Sequence, residues 1–318
     1  MLTINLNDIF NKMESFVDEQ LKNPKSVISK VRNDILSFDT NGLDKYQKKI
    51  ISHIKKDFRK FLLQTPLEQQ TFIDSWINKK SNLFYDETIS GNDKSTLFGK
   101  RIKKTFRYSE FRANNCVEFS KIIGIKTCPY CNAMLAINVD KKARYQLDHF
   151  YPKSRYPYLS ISLFNLIPSC NNCNHIKGDK DVTLIENFHL YSNKPAKEIF
   201  KFELNSVDVI RNLTGLSGDQ LKVNFTHTDV SYKSFVDNHN KSFYIQEIYD
   251  TQNDIALELL WKSQAYHDIN IENLSSLLKI DMKEVKRMIV GNYIDFHDIH
   301  KRPLSKYMQD IAKDLKLI

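Results

Sequence analysis

Four of the five cysteines fall into two C-x-x-C pairs, Cys128-Pro129-Tyr130-Cys131 and Cys170-Asn171-Asn172-Cys173. Each pair can present two thiolates from one tight turn. Together they complete a tetrahedral zinc shell with no open position, so the metal they would hold is structural. Simple zinc ribbons separate their pairs by about 15–20 residues. Here 38 residues intervene, so something else is mounted between the pairs. That insert carries Asp148-His149 at the end of an alternating stretch from Ala143, then Asn165 in Phe164-Asn165-Leu166-Ile167-Pro168-Ser169, with Asn174 and His175 directly after the last cysteine. A neutral imidazole with a reference pKa of about 6.5 can take a proton from water, provided a neighbour fixes its orientation. A carboxylate with an amide oxygen suits a hard cation such as Mg²⁺ or Mn²⁺, whereas thiolates suit zinc. Activated water and a cation that neutralises developing charge are what phosphodiester hydrolysis requires. Taken singly, His149 reads as a packing or surface histidine and Asn165 as a turn former. Only their order as a set points to catalysis.

The elements that must hold this set are short. Ala143–His149 reads as a strand after a turn at Asp140-Lys141-Lys142, and residues 164–169 as a second strand. Between them runs an aromatic, basic loop, Phe150 to Tyr158, stiffened by Pro152 and Pro157, and a helix starts beyond Cys170. Cys128 to Lys180 carries seven basic residues and three acids, a local net of +4 that favours a polyanion. Within it Lys153, Arg155 and Lys177 are candidate phosphate contacts. Upstream, Lys94, Lys100, Arg101, Lys103, Lys104 and Arg107 alternate with Phe98, Phe106 and Tyr108. That run is either a phosphate-facing stripe or a solvated face with its aromatics turned inward.

At these residues the sequence resembles the HNH nuclease family, in which Asp-His on one strand, Asn on the next and a C-x-x-C-[HN]-x-x-K helix start build a ββα-metal motif. The resemblance implies that His149 is the general base and that Asp148 and Asn174 hold a hydrated Mg²⁺ or Mn²⁺ against the scissile phosphate. Asn165 would support His149, and His175 is the less favoured ligand beside Asn174. Leu147 to Ser154, Tyr156-Pro157 and Asn165 to Cys170 are similar to HNH proteins of bacterial anti-phage defence, the nuclease subunits of Septu and retron-linked Septu systems. The resemblance implies DNA as substrate and an ABC/AAA-type ATPase partner, and leaves room for a homo-oligomer within a larger complex. Two other readings exist: an RNA-cleaving, toxin-like HNH nuclease acting on tRNA or single-stranded RNA, and a non-cleaving zinc-dependent nucleic-acid-binding module.

The whole chain has 318 residues, a formal net charge of +9, and only eight glycines and eight prolines. This composition excludes disorder, miniature disulfide scaffolds and loop-dominated all-β folds, and helix should predominate. Apolar residues recur at helical spacing from Leu6 to about Asn78, predicting four amphipathic helices, with Pro24 and Pro66 in first turns. Beyond residue 195 two strands are predicted, Phe200–Leu204 and Leu221–Thr226, followed by helices to the end. The expected fold is α+β. A small zinc-stabilised ββα-metal core at 96–195 is flanked by a helical region at 1–95 and a mostly helical region with a short strand pair at 196–318. No apolar run spans a bilayer and the start lacks a signal peptide, so a cytoplasmic protein is expected, in a compartment that keeps thiols reduced. Cys116 reads as a plain core residue. His53, His189, His227, His239, His267, His297 and His300 sit in no ligand-like spacing.

Overall fold

Helices dominate the computed structural model, which describes residues 1–78, 80, 82–139, 142–180, 188–193, 198–215, 221–266 and 268–318. The chain is α+β, and it gathers into two compact units from separated stretches: Ile4–Gly124 with Asn138–Asn193, and Met1–Thr3 with Ile125–Ile137 and Lys194–Ile318.

The first of these units opens with α1 (Leu6–Lys22), α2 (Val27–Leu36), α3 (Lys45–Lys56), α4 (Phe58–Leu62) and α5 (Pro66–Phe72), the last running into a π-helical turn, Ile73–Ile77. Five helices thus stand where apolar spacing predicts four. Asp57 breaks the run, with φ −151°, and its side chain accepts the Lys60 N–H to start α4. Pro66 occupies the first turn of α5 beside the Thr65–Glu68 capping box. Pro24 instead lies in the turn before α2, whose cap is Ser26. Two further helices, α6 (Leu97–Thr105) and α7 (Tyr108–Ile123), meet at Arg107 in a left-handed backbone conformation, φ 47°.

Next come three short pieces: β1 (Asn138–Val139), β2 (Lys142–Ala143) and β3 (Gln146–His149). The expected single strand from Ala143 is therefore divided, and the expected turn at Asp140 and Lys141 lies outside the described residues. A 3-10 turn, Leu163–Asn165, leads into β4 (Leu166–Ser169), and α8 (Asn171–Lys177) follows. β3 and β4 are antiparallel, Asp148 facing Ile167 and His149 facing Leu166. α8 packs on β3.

A cluster of buried rings fixes the loop between β3 and β4. Tyr158 lies 6.1 Å from Phe61, 5.5 Å from Phe72 and 5.1 Å from Phe84, so α4, α5 and the segment before α6 all press on it. Each such ring contributes about 1.5–3 kcal/mol by leaving water.

In the other unit, β5 (Phe200–Leu204) pairs antiparallel with β6 (Val223–His227), with α9 (Ser206–Thr214) between them. β6 starts two residues later than the spacing predicts. Helices α10 (Lys233–Phe243), α11 (Ile245–Asp250), α12 (Asn253–Ala265), α13 (Asp268–Leu278), α14 (Met282–Val290) and α15 (Ser305–Asp314) complete it. Asp310 of α15 accepts the Phe202 N–H of β5 at 3.0 Å and pairs with buried Lys306.

The same unit holds the first cysteine turn. Asn132 takes φ 53°, its N–H bonding the Cys128 carbonyl at 2.8 Å, and Tyr249 Oη donates to the Cys131 carbonyl at 2.8 Å. No helix among the described residues is long and apolar enough to cross a membrane.

Candidate active site

The ββα arrangement is built from pieces that cannot stand alone. A four-residue hairpin pair is marginal in water. Here the pair is buried throughout β4 and over three of the four residues of β3, Leu147 to His149. Its turn is replaced by the ring-packed loop 150–163. Helix α8 starts at Cys170, whose sulfur accepts the Cys173 N–H at 3.4 Å, so the second C-x-x-C turn doubles as the helix cap.

His149 ends β3, 6% exposed, and its Nε2 lies 3.0 Å from the Ser160 carbonyl oxygen. A carbonyl only accepts, so Nε2 carries the proton and Nδ1 keeps the lone pair that can take a proton from water. The Tyr108 ring packs edge-on against the imidazole at 4.5 Å, and the Tyr108 hydroxyl donates to the Leu147 carbonyl. Burial first, then the charges of Lys153, Lys177 and Arg112, hold the ring well below its ordinary value, at about 3, despite the Ser160 bond. The imidazole is therefore neutral and fixed.

Asn165 is fully buried. Its amide oxygen accepts the Tyr151 N–H at 2.8 Å and its nitrogen donates to the carbonyls of Tyr151 and Leu159, both at 3.1 Å. The side chain clamps the two ends of the loop that carries Ser160. It sits in the 3-10 turn just before β4 and makes no bond to His149 itself. Asp148 points the other way along the strand period, 4% exposed, with the Lys177 ammonium 3.3 Å from its carboxylate. Lys177 also donates to the His149 carbonyl at 2.5 Å. It is 5% exposed and ties α8 to β3 rather than facing solvent.

Asn174 precedes Lys177 by three residues, so both share the α8 face turned to β3. It is half-buried, whereas His175 is exposed. Lys153 is exposed with its ammonium 4.5 Å over the Tyr108 ring. Arg155 is internally occupied, donating to Glu87 at 3.0 Å and stacking on Tyr85 at 4.6 Å. Sequence reasoning passed over two contributors. Tyr108 stood in the basic stripe without a role, and Ser160 acts through a backbone carbonyl that no residue type announces.

Two donor sets can be tested for metals. Cys128, Cys131, Cys170 and Cys173 are all buried and are a donor group that could hold a metal ion. Four soft donors with no oxygen among them fit zinc in a closed structural site. Asp148 and Asn174 carry hard oxygen donors of the kind Mg²⁺ or Mn²⁺ takes, the Asp148 carboxylate being paired with Lys177.

Residues 128–182, which carry the hairpin, the oriented imidazole and α8, match the HNH endonuclease family. Fifty-five residues of the chain are 42% identical to Septu protein PtuB of Bacillus thuringiensis. That match covers 17% of this chain and 20% of the relative, so the chain spans about a fifth of the length of the curated protein it resembles. No solved structure matches the chain.

Proposed function

We propose that this protein is a metal-dependent HNH endonuclease that hydrolyses DNA phosphodiesters, working in the cytoplasm as the effector nuclease of an anti-phage defence system with an ATPase partner. The observation that carries the reading is the His149 imidazole, held neutral by burial and aimed by the Ser160 carbonyl, on a strand whose preceding residue is a buried carboxylate. Nδ1 of His149 takes the proton of the attacking water. Asn165 keeps the 150–160 loop closed so that the Ser160 carbonyl stays in place. Asp148 and Asn174 would hold Mg²⁺ or Mn²⁺, which when bound neutralises charge on the phosphate and leaving oxygen. Zinc bound by the four cysteines would serve the structure, not the reaction. The defence role rests on likeness to the Septu relative; the ATPase partner belongs to the same proposal.

Supercoiled plasmid incubated with the full chain and Mg²⁺ or Mn²⁺ tests the reading. Wild type should nick it. His149→Ala should lower nicking by a factor of at least about 10², the usual contribution of a positioned base, while plasmid binding persists. Equal nicking by both proteins, or cleavage of tRNA in place of plasmid, would overturn the DNA assignment.

A further inference from the structure

Beside the His149–Ser160 contact lies a cleft of about 560 Å³, bordered by Lys103, Lys104, Tyr108, Lys153, Ser154 and Ser160. Ser160 is 3% exposed, and its hydroxyl, like that of Ser154, is enclosed without a hydrogen-bond partner among the described residues. Leaving an enclosed hydroxyl unpaired is costly, so two on the border of one cleft point to an acceptor that arrives from outside. The cations say what kind of acceptor. Arg107, also on the rim, is occupied by Asp34 and Glu110, and Lys103 by Asp93 and Ser95. Glu110 is in turn held by Lys30 at 2.7 Å. Lys104 is exposed and forms no ion pair among the described residues. Lys153 rests on the Tyr108 ring, and Asp179 is the acid left on the rim. Two available ammonium groups and two donor hydroxyls bordering one cleft match the charge and the acceptor oxygens of a phosphodiester.

We infer that this cleft is the subsite for the DNA phosphate next to the one attacked, with Lys104 and Lys153 supplying the charge and Ser160 and Ser154 the hydrogen bonds. The inference rests on the nuclease reading for its substrate. It also gives Ser160 two tasks, its carbonyl orienting His149 and its hydroxyl registering the backbone, so that substrate and base are referred to one residue. Neither Arg155 nor Lys177 takes part, since both are occupied within the fold.

The test measures binding apart from cleavage. In the full-length His149→Ala protein, a fluorescent duplex DNA oligonucleotide is titrated over a range of salt concentrations, with each variant's melting curve recorded alongside. Lys104→Gln with Lys153→Gln should weaken binding about tenfold near 100 mM salt and reduce the slope of log Kd on log salt by about 1.8, two counterions' worth. Ser160→Ala, which keeps the carbonyl, should weaken binding about threefold to tenfold with the slope unchanged, because a neutral donor releases no counterion. Arg155→Gln, offered as a surface-charge control, should leave the slope as it is. An unchanged slope in the double lysine variant, a slope lowered equally by Arg155→Gln, or no DNA binding by the parent protein would overturn the inference. Cleavage by wild type is read separately. Nicking with an unaltered slope sinks the subsite alone, and the expected slopes without nicking sink the nuclease reading alone.

Discussion

At the residue scale, the site depends on side chains that act through the backbone. Asn165 satisfies three backbone groups of the 150–160 loop at once. Asn165→Ala should strand the Tyr151 N–H and two carbonyls, lowering unfolding free energy in urea by about 3 kcal/mol and abolishing nicking with it. Asn165→Asp, which keeps only the acceptor, should fall between the two. His189 shows a second buried imidazole. It packs on Phe150 at 4.3 Å and accepts the Tyr191 N–H, and burial, with the charge of Lys177, lowers it to about 3. The unfolded ring takes its proton near 6.5, so between 6.5 and about 3 the unfolded chain binds more protons than the folded one. The folded state therefore keeps this contribution above pH 6.5 and loses it as the pH falls towards 3. Wild type should lose about 2 kcal/mol more than His189→Phe between pH 7 and pH 5 in urea titrations. Equal losses would contradict the burial argument.

At the scale of elements, the hairpin and α8 are too short to persist unaided. β3 and β4 contribute four residues each and α8 seven. Isolated helices below about 12 residues are marginal. Their stability must come from the ring cluster behind the loop, from the Lys177 tie and from the metal expected in the cysteine set. Cys170→Ser removes a thiolate donor while leaving a hydroxyl that can still accept the Cys173 N–H and cap the helix. It should release zinc, detectable by a chromogenic chelator, and bring unfolding at a markedly lower temperature. Asp148→Ala should keep the bound zinc and lose nicking. Coincident melting curves for Cys170→Ser and wild type would contradict a structural metal.

On the scale of the whole molecule, the formal charge of +9 is spread over a chain in which most cations near the site are already paired. Net charge attracts a polyanion over distance, and the few available lysines decide where it lands. Plasmid nicking should therefore fall by at least about tenfold between 50 and 200 mM salt, as expected when several phosphate contacts release counterions. A salt-independent rate would argue against a phosphate-led encounter.

Much of the chemistry was legible because it depends on residue type and spacing. Two C-x-x-C turns define a thiolate set, and the stretch 128–182 that carries Asp148, His149, Asn165 and Asn174 matches one nuclease family. Helical periodicity likewise marked most helices, since a 3.6-residue repeat is local. What spacing could not supply was the pairing of groups distant in sequence. It could not tell that Arg155 belongs to Glu87, that Lys177 belongs to Asp148, or that the Ser160 carbonyl selects the tautomer of His149. Nor could it show that residues 125–137 gather with the C-terminal stretch rather than with their neighbours. Composition and local order fix which groups are present. Only the packed chain decides which of them are already satisfied, because an ion pair or hydrogen bond depends on distance in space and on exclusion of water, and neither is written in adjacent letters.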